Sequence, residues 1–427
     1  MSAAPQAVQG SALRSEVLRD ATALLRLRGA WEALCEVGEA GCLFLTPEWL
    51  IPWWEQFGAG RELCCIAISE GERLLGFLPL FTEVTRVAGM RVRRVAFLGD
   101  GATGCDYLDV LAARGRETEV RAATLEALGK LPWDVCDLDG FWRESPTAHF
   151  LAQRFPNGRG VSSSIAGLGG PATDVLRDAR LRFVCPHIPL TGTYEEFLLS
   201  LGRRENLRRR EKWLHRQPGV SVEVARAPEE SRIAVERFLE LHRARWSVEG
   251  GSGGLTDERH EAFHRVAVQM LAERGWLRLY TLFAARRPVA SVYGVVHKRK
   301  FLYYQSGYDP AWRSKSVGLV LLAHTVRDAF AEGLAEFDFL RGDEAYKAEW
   351  ARADRWTIQM RLWRGARGKA VRAAQKTALF ARESIKAAIP AAALQAARRA
   401  RRLVRTRRRE GIGAVFAALR ATGDGTE

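Results

Sequence analysis

The sequence predicts a mixed α/β fold in which two similar units follow one another and a basic helical tail ends the chain. Three observations support this prediction. The 427 residues suffice for two domains of ordinary size and an appendage. Strand-like and helix-like patterns alternate along both halves, and most of the net positive charge lies near the C-terminus. We therefore expect units at residues 12–165 and 175–364, and a tail at 365–427.

The first unit begins with helical patterning from Leu13 to Glu36. Thr46-Pro47-Glu48 then predicts a helix start, with a capping threonine, proline in the first position and an acidic first turn. Apolar or alternating runs predict strands at residues 63–69, 74–81, 91–99, 106–112 and 135–141, and a helix is expected at 117–128. The Gly-rich segment Ser162–Thr173 is interpreted as a linker or a crossing loop.

The second unit repeats this alternation. Strands are predicted at residues 183–190, 220–225, 276–285, 288–297, 300–308, 336–340 and 355–363. Helices are predicted at residues 194–201, 203–216, 229–246 and 256–274, and another begins near Ser316.

An internal repeat links the two units. LCCIAISEGERLLGFLPL in the first unit has the same layout as LRLYTLFAARRPVASVYGVV in the second, two strands around a short charged turn. Aligned at an offset of about 214 residues, Gly76 falls opposite Ala290 and Arg73 opposite Arg287. The repeat predicts two copies of one mixed α/β unit.

The net charge of +15 belongs mainly to the tail. Residues 361–427 contain 17 lysines and arginines but only 4 acidic residues, so the rest of the chain is close to neutral. A basic helix of this kind is expected either to contact an anionic membrane surface, at about 1 kcal/mol per basic residue, or to remain a solvated helix. Its most basic segment, RRARRLVRTRRR, has no interleaved aromatic residues, which makes nucleic acid an unfavourable partner.

Composition also limits the class of protein. No apolar run approaches the roughly 18 to 20 residues of a membrane span, and the N-terminus has no secretion-signal pattern. These features predict a cytoplasmic protein, with possible peripheral attachment to the inner membrane surface. Seven cysteines without a CxxC pair, and eight histidines without an HxxxH cluster, predict reduced thiols and no metal site.

The segment from Tyr303 to His324 contains a candidate anion site. A strand with an internal glycine, Gly307, leads into a polar turn, and a helix follows. The unpaired N–H groups of a helix start favour a phosphate. Gly318 leaves room for it, and Arg313 and Lys315 add positive charge. The same turn also fits an ordinary solvated loop capped by Ser316.

A second polar region follows the strand at 336–340. Asp338 lies between two phenylalanines, Arg341 and Asp343 belong to the turn after the strand, and Tyr346 is suited to protonate a thiolate. Ligands of open α/β sheets bind beyond the carboxyl ends of strands. On the predicted helix at 229–246, His242 and Trp246 share one face. Each of these residues also fits a structural role.

Several enzyme classes find no support. The sequence contains no Walker motif and no GxGxxG dinucleotide fingerprint. No Ser-His-Asp or Cys-His arrangement stands out, which disfavours a covalent acyl-enzyme.

Five longer strings resemble the CelD/BioF-type acetyltransferase branch of the GNAT superfamily, which is related to Fem-type transferases. The strings are FLTPEWLIPWW (44–54), LRRREKWL (207–214), LHRARW (241–246), YYQSGYDPAW (303–312) and EFDFLRGDEAYKAEW (336–350). The resemblance covers roughly residues 15–365, and it is stronger in the second unit. It implies two GNAT-like units, with acyl-CoA (acetyl-CoA) as co-substrate.

The resemblance also implies roles for individual residues. The pyrophosphate of coenzyme A would bind the N–H groups of Ser314, Lys315, Ser316, Val317 and Gly318. A bulged strand at Gln305, Ser306 and Gly307 would polarise the thioester carbonyl. Lys347 is similar to a lysine that Fem-type enzymes place near the acceptor, and LHRARW with the following EGGSGGL looks like a lid.

The first unit departs from the family pattern, because Glu117 and Glu119 occupy the helix start where a phosphate would bind. We therefore expect this unit to shape the acceptor groove, with Asp106 and Tyr107 as acceptor contacts, and not to bind coenzyme A.

These observations predict an acyltransferase that moves an acetyl or longer acyl group from acyl-CoA directly to an amine or hydroxyl. The acceptor would be a polar small molecule, glycan or peptide, and a molecule destined for the cell envelope is one candidate. Two alternatives remain open at this point: a Fem-type transferase that uses aminoacyl-tRNA on a cell-wall precursor, and a non-catalytic protein that binds a membrane surface.

Overall fold

The computed structural model describes residues 12–39, 41–101, 103–155, 175–202, 204–249, 255 and 257–388. The predicted linker Ser162–Thr173, most of the EGGSGGL segment and the tail after residue 388 lie outside the described residues. Predictions made for these segments, including the domain boundary near residue 170, therefore remain predictions.

The described residues form fifteen strands. They are β1 Arg14–Leu18, β2 Glu62–Leu63, β3 Cys65–Glu70, β4 Arg73–Leu78, β5 Leu80–Val87, β6 Met90–Phe97, β7 Leu111–Ala112, β8 Val135–Trp142, β9 Val175–Pro189, β10 Ser221–Ala225, β11 Leu277–Ala284, β12 Arg287–His297, β13 Lys300–Tyr308, β14 Glu336–Asp338 and β15 Ala353–Arg364.

Twelve α-helices and two 3-10 turns accompany the strands in the described part of the chain. The helices are α1 Ala21–Arg26, α2 Arg28–Val37, α3 Pro47–Phe57, α4 Glu117–Lys130, α5 Pro146–Arg154, α6 Tyr194–Leu199, α7 Arg204–His215, α8 Pro228–Glu249, α9 Glu258–Glu273, α10 Val317–Ala331, α11 Ala345–Trp350 and α12 Gly365–Ala388. The 3-10 turns are Leu43–Leu45 and Pro310–Lys315.

The strands form two mixed or antiparallel sheets, so the predicted mixed α/β fold is confirmed. Within the described residues, a four-stranded sheet has the order β1-β3-β4-β7, and an eleven-stranded sheet has the order β10-β11-β12-β13-β14-β9-β15-β8-β6-β5-β2. In the large sheet β13 pairs with β14 and β6 pairs with β8 in parallel, whereas its other described pairings are antiparallel. Strands from both predicted units therefore share one sheet.

The hairpins of the internal repeat have the same register. Gly76 pairs with Ile68, and Ala290 pairs with Leu282, the position 214 residues later. Both hairpins also skip one residue immediately afterwards, because the register shifts between Ile68 and Ser69 in one and between Leu282 and Phe283 in the other. A shared irregularity at equivalent positions is stronger support for a structural repeat than the sequence layout alone.

Two first-unit predictions were wrong in part. The helical pattern at Leu13–Glu36 begins with β1, which pairs with β3; Asp20 then starts α1 by accepting a hydrogen bond from Ala23 N at 2.7 Å. The predicted strand at 106–112 is reduced to β7, because Tyr107 has a left-handed φ of 62° that a strand does not allow.

The chain divides into two compact units. The described residues up to 85 and from 91 to 365 belong to one unit, and residues 86–90 and 366–388 belong to the other. The first contains the residues of the candidate site below. The second contains nearly all of α12, which begins at Gly365.

Gly307 allows α8 to lie directly on β13. A methyl group placed on Gly307 would lie 2.4 Å from the His242 backbone nitrogen and 2.6 Å from the Leu241 carbonyl carbon. The glycine therefore marks a close approach of two backbones, which is one of the two meanings of a strand glycine.

We predict that Gly307→Ala lowers the free energy of unfolding by about 1–3 kcal/mol, because neither contacting backbone can move without displacing α8. Denaturant unfolding measures this. Gly318→Ala is the matched control, because its methyl group would meet only Tyr308 Cδ1, at 3.8 Å. Equal unfolding midpoints for Gly307→Ala and the wild-type protein would contradict the close packing.

Candidate active site

A gap between two parallel strands creates the site. β13 pairs with β14 only from Lys300 to Leu302, and it then continues to Tyr308 with no described strand on that side. After Asp338 the chain turns toward β9, where Phe339 N donates to Pro186 O at 3.0 Å. A strand edge without a partner presents N–H and C=O groups that can bind an extended ligand.

β13 is irregular beside this gap. Its register with β12 shifts between Tyr293 and Gly294, which pair with Gln305 and Tyr303, so Tyr304 is the extra residue. The irregularity therefore lies one residue before the predicted stretch Gln305, Ser306 and Gly307. A bulge redirects backbone groups locally, and it commonly occurs next to active sites.

A cavity of about 470 Å³ occupies the gap. It brings together residues from both predicted units, which include Gly99, Asp100, Gly101, Thr103, Gly104, Cys105, Asp139, Arg182, Phe183, Arg245, Trp246, Tyr303, Tyr304, Gln305, Ser306, Leu340, Arg341, Glu344, Tyr346 and Lys347. Of the predicted site residues, Trp246, Gln305, Ser306, Arg341, Tyr346 and Lys347 line it. His242, Asp106, Tyr107, Asp338 and Asp343 do not.

A glycine-rich loop of the first unit forms one wall. The wall loop, residues 99–105 except the undescribed residue 102, has left-handed φ values at Gly99, Gly101 and Gly104. Two side chains hold the wall loop in place. The Tyr304 hydroxyl donates to Thr103 O at 2.8 Å, and Arg341 donates to Cys105 O. The bulged strand thus holds the wall loop directly.

Asp106 anchors the loop and is not open to an acceptor. It is fully buried, and its carboxylate accepts from Arg341 Nε at 2.8 Å and from the Arg341 backbone N at 3.0 Å. Tyr107 has a similar structural contact, because its hydroxyl donates to Asp338 Oδ2 at 2.8 Å. The acceptor contacts predicted at these two positions are therefore contacts within the protein here.

Asp338 lies behind the cavity in a polar network. Its Oδ1 accepts from Leu340 N at 2.7 Å, and its Oδ2 accepts from Arg355 at 3.2 Å as well as from Tyr107. Burial raises its pKa to about 7, although the nearby Arg355 acts in the opposite direction. Asp338 thus holds the end of β14; it does not line the cavity, but Leu340, whose N–H it accepts, does.

Lys347 and Glu344 form an ion pair at the cavity. Lys347 Nζ lies 3.0 Å from Glu344 Oε2 and donates to Arg341 O at 2.7 Å, so the amine is held in place. The Glu344 side chain is 51% exposed, which makes it the most accessible of the three carboxylates that line the cavity. The other two, Asp100 and Asp139, pair with Arg94 and Arg182.

Helix α8 contributes a cation and an indole. Arg245 Nη1 donates to Ser306 Oγ at 2.9 Å, and its guanidinium lies 4.9 Å from the Trp246 ring. Trp246 Nε1 is buried and has no hydrogen-bond partner among the described residues, so it can donate to a ligand. His242, which is also on α8, is buried. Burial lowers its pKa to about 4, so it is neutral at physiological pH.

The predicted anion site lies where α10 begins. Ser316 has a left-handed conformation, φ 55° and ψ 39°, that joins the 3-10 turn Pro310–Lys315 to the helix. Ser316 O accepts from Leu319 N and Val320 N, and the helix has no side-chain cap. Gly318 faces open space. Lys315 Nζ, however, lies over the Trp213 ring at 4.6 Å, and Arg313 and Ser314 are exposed.

The sequence did not identify the wall loop, Asp139, Arg182, Phe183, Arg245 or Glu344 as site residues. Phe183 lies between two guanidinium groups, 4.8 Å from Arg182 and 4.5 Å from Arg341. A run of glycines, LGDGATGCDY, was the available signal for the wall loop. The other residues come from separate elements, and no spacing along the chain connects them.

No group of three or more His, Cys, Asp or Glu residues in the described chain is arranged to hold a metal ion. Among the same residues, no helix is long and apolar enough to cross a membrane.

Comparison with known families identifies a domain that contains most of the cavity's second-unit residues, all except Arg182 and Phe183. Residues 202–348 match the model described as acetyltransferase (GNAT) domain. No curated protein sequence matches the chain.

Several solved structures are similar to this chain. The crystal structure of FemX is similar with a TM-score of 0.52 at 12% identity, over 78% of this chain and 95% of that one. L-PGS from Bacillus licheniformis has a TM-score of 0.46 at 13% identity, over 79% and 97% of the two chains. A tandem GNAT protein from the clavulanic acid biosynthesis pathway has a TM-score of 0.37 at 13% identity, over 81% and 98%. The likeness to FemX shows a shared fold.

The raised pKa of Asp338 predicts a pH effect on stability. Because the folded protein holds this proton up to about pH 7 and the unfolded chain releases it near pH 4, the folded state is favoured below pH 4. That advantage is lost as pH rises toward 7. Asp338→Asn should remove this contribution.

The measurement is the free energy of unfolding of both proteins from pH 4 to pH 7. The difference between the wild type and Asp338→Asn should change by up to about 1.4 kcal/mol per pH unit. Parallel pH curves for the two proteins would show that Asp338 is already ionised at low pH.

Proposed function

The chain is an acyltransferase with a GNAT acetyltransferase domain at residues 202–348, and from that premise we propose that its donor is acyl-CoA. The acyl group passes directly to an amine or hydroxyl of a polar acceptor bound in the same cavity. The observation that carries this proposal is the gap between β13 and β14 that the cavity occupies; β13 continues from the cavity to Tyr308, and α10 follows after the 3-10 turn Pro310–Lys315.

The gap suits the shape and chemistry of an acyl-CoA. Its pantetheine arm is extended and carries amides, which can pair with the edge of β13 that β14 does not cover, as a further strand would. Its diphosphate suits the N–H groups at the start of α10, where Gly318 leaves open space. Because Lys315 lies over Trp213, the helix start supplies the main attraction in this conformation, with Arg313 available nearby.

The cavity provides groups for direct transfer. An attack on a thioester carbonyl places negative charge on its oxygen, and donors on the bulged segment at Tyr304–Gln305 are suited to stabilise that charge. The departing thiolate needs a proton, and Tyr346 lines the cavity with its hydroxyl protonated, because burial raises its pKa well above 10. Glu344 is the accessible carboxylate that can accept a proton from the acceptor.

The acceptor is proposed to lie against the wall loop. This side of the cavity offers backbone at Gly101 and Gly104, the paired charges Asp139–Arg182, and the Phe183 ring. Such a surface favours a polar acceptor with several hydrogen-bonding groups, as a glycan or a peptide has. Contact of the basic tail with an anionic membrane is a separate proposal that fits an envelope-directed acceptor.

An aminoacyl-tRNA donor is the second candidate. It is favoured by the fold shared with FemX and by the basic helix α7, whose Arg210 Nη1 donates to Ser314 O at 3.2 Å in the turn before α10. A larger polyanion than coenzyme A would use such a surface.

We predict that acetyl-CoA and CoA bind the wild-type protein and that Gly318→Asp weakens CoA binding roughly tenfold or more. The added carboxylate would face the diphosphate across a few ångströms. The variant should stay folded, because an acidic residue is favourable in the first turn of a helix. Calorimetry gives the affinities, and thermal melting gives the protection by ligand.

Gly29→Asp is the matched control. Gly29 also lies in the first turn of a helix with open space around it, and it is far along the chain from the site. The control should bind CoA as the wild type does. Equal CoA affinity for Gly318→Asp would contradict the proposed diphosphate site. Absence of CoA binding together with RNA-dependent activity would favour the aminoacyl-tRNA donor.

A further inference from the structure

A second cavity lies between α7 and α10, apart from the candidate active site. It encloses about 400 Å³, a volume within the usual range of small-molecule sites. One face of each helix forms its walls, and its floor is the end of the large sheet where β10 pairs with β11. None of its described lining residues belongs to the cavity beside β13. A ligand of this α7–α10 cavity would therefore occupy a separate site.

The floor of the α7–α10 cavity is aliphatic. Val222 of β10 and Leu282 of β11 are directly paired, so their side chains lie on the same face of the sheet. The apolar lining residues are Leu214, Val220, Val222, Leu282, Val320 and Leu321. The described lining includes no Phe, Tyr or Trp ring on which a nucleobase could stack. This surface favours an aliphatic chain.

Cations line one side of the same cavity. Arg208, Lys212 and His215 lie on one face of α7, and Arg327 of α10 lines the cavity with them. Arg208 has an acidic partner, since its Nη1 lies 3.5 Å from Glu205 Oε1. In the described part of the chain, Lys212 and Arg327 have no carboxylate within ion-pair distance. Two cations without an acidic partner favour an anionic ligand.

His324 holds Arg327 at the cavity. Arg327 Nη2 lies 2.6 Å from His324 Nδ1, and because a guanidinium only donates, Nδ1 must accept. The ring hydrogen is then on Nε2, which lies 3.4 Å from Asp328 Oδ2. Asp328 is thus engaged by the histidine, and the guanidinium of Arg327 keeps N–H groups that no described residue accepts.

Glu211 opposes an anion in this cavity. It is the one carboxylate among the described lining residues. Burial raises its pKa, although Arg327, His215 and Arg208 act in the opposite direction. Its negative charge should weaken the binding of an anion, so a variant that removes this charge should strengthen binding.

We propose that the α7–α10 cavity binds a single-chain anionic amphiphile, with its aliphatic chain on the floor and its carboxylate or phosphate group against Lys212 and Arg327. The chain contributes affinity through the apolar area that it buries, and the charged group determines its orientation. This site is independent of the donor and acceptor sites proposed above.

The test measures binding of hexanoate, octanoate and decanoate to the full-length protein by calorimetry. Affinity should rise about three- to fourfold for each added methylene group, because each one is removed from water on the floor. Arg327→Gln should weaken decanoate binding roughly tenfold. Glu211→Gln should strengthen it roughly threefold or more, a result that a misfolded variant cannot produce.

Three controls separate the parts of the ligand and of the site. Arg209→Gln removes an exposed cation of the same helix that does not line the cavity, so decanoate affinity should change less than about twofold. Decanol has the chain without the charge and should bind roughly tenfold more weakly than decanoate. Inorganic phosphate has the charge without the chain and should also bind more weakly.

Decyl phosphate and phosphatidylglycerol vesicles distinguish the sources of the ligand. Binding of decanoate, decyl phosphate or both, with the expected response to Arg327→Gln and Glu211→Gln, supports the proposal. Binding to vesicles without binding of either free amphiphile would show a membrane-contact surface and overturn it.

Other results also contradict the site. Equal affinity for decanol and decanoate, or decanoate binding that is unchanged in both Arg327→Gln and Glu211→Gln, would overturn the proposal. Decanoate binding that is lost in Arg245→Gln and kept in Arg327→Gln would place the ligand in the cavity beside β13 instead. CoA affinity is measured separately, so a failure of the proposed donor is distinguishable from a failure of this site.

Discussion

The divergence of β13 and β14 after Leu302 and Asp338 is the constraint on which the site depends. Asp338 holds the turn by accepting from Leu340 N, and Leu340 adopts a left-handed φ of 54° that is unfavourable for a leucine. Phe339 N and Gly342 N then donate to Pro186 O and Val184 O of β9. Up to Asp338, β14 pairs with β13 and β9 at once, and beyond it the described backbone hydrogen bonds run to β9 alone, so the end of β13 has no strand beside it and the cavity lies there. The buried Asp338 carboxylate stabilises the turn at which this gap begins.

The two repeated units are joined at the cavity by buried polar contacts. The Asp106 carboxylate is fully buried, and an unpaired charge is costly to bury. Two donors of Arg341 in the second unit, its Nε and its backbone N, hydrogen-bond to this carboxylate and offset that cost. Tyr107 and Tyr304 add two hydroxyl contacts in opposite directions across the same boundary. Contacts of this kind are directional, so they determine how the wall loop faces the bulged strand more closely than apolar packing would.

Local signals predicted the elements well and the site only in part. Strong apolar runs predicted β3, β4, β11, β12 and β13, and the fold class and GNAT domain are confirmed. The sequence contains no sign that Tyr107 takes a left-handed conformation. It also contains no sign that Asp106 pairs with Arg341, because 235 residues separate them. Gly307 shows why the sequence alone was not sufficient. A glycine inside a strand indicates either a bulge or a close backbone approach, and the packing of α8 against Gly307 shows that the second applies here.

The donor and acceptor regions proposed above use different parts of the chain. The proposed donor region is mainly backbone: the edge of β13 that β14 does not cover, the bulge at Tyr304, and the start of α10 at Gly318. Backbone groups cannot be changed by substitution, so this side suits a donor that stays constant. The proposed acceptor region uses side-chain groups such as Asp139, Arg182 and Phe183, which substitution can alter. Tyr304 and Arg341 hold the wall loop through the backbone oxygens of Thr103 and Cys105, so a change at those side chains leaves both contacts in place, and acceptor preference can change while the proposed donor region keeps its geometry.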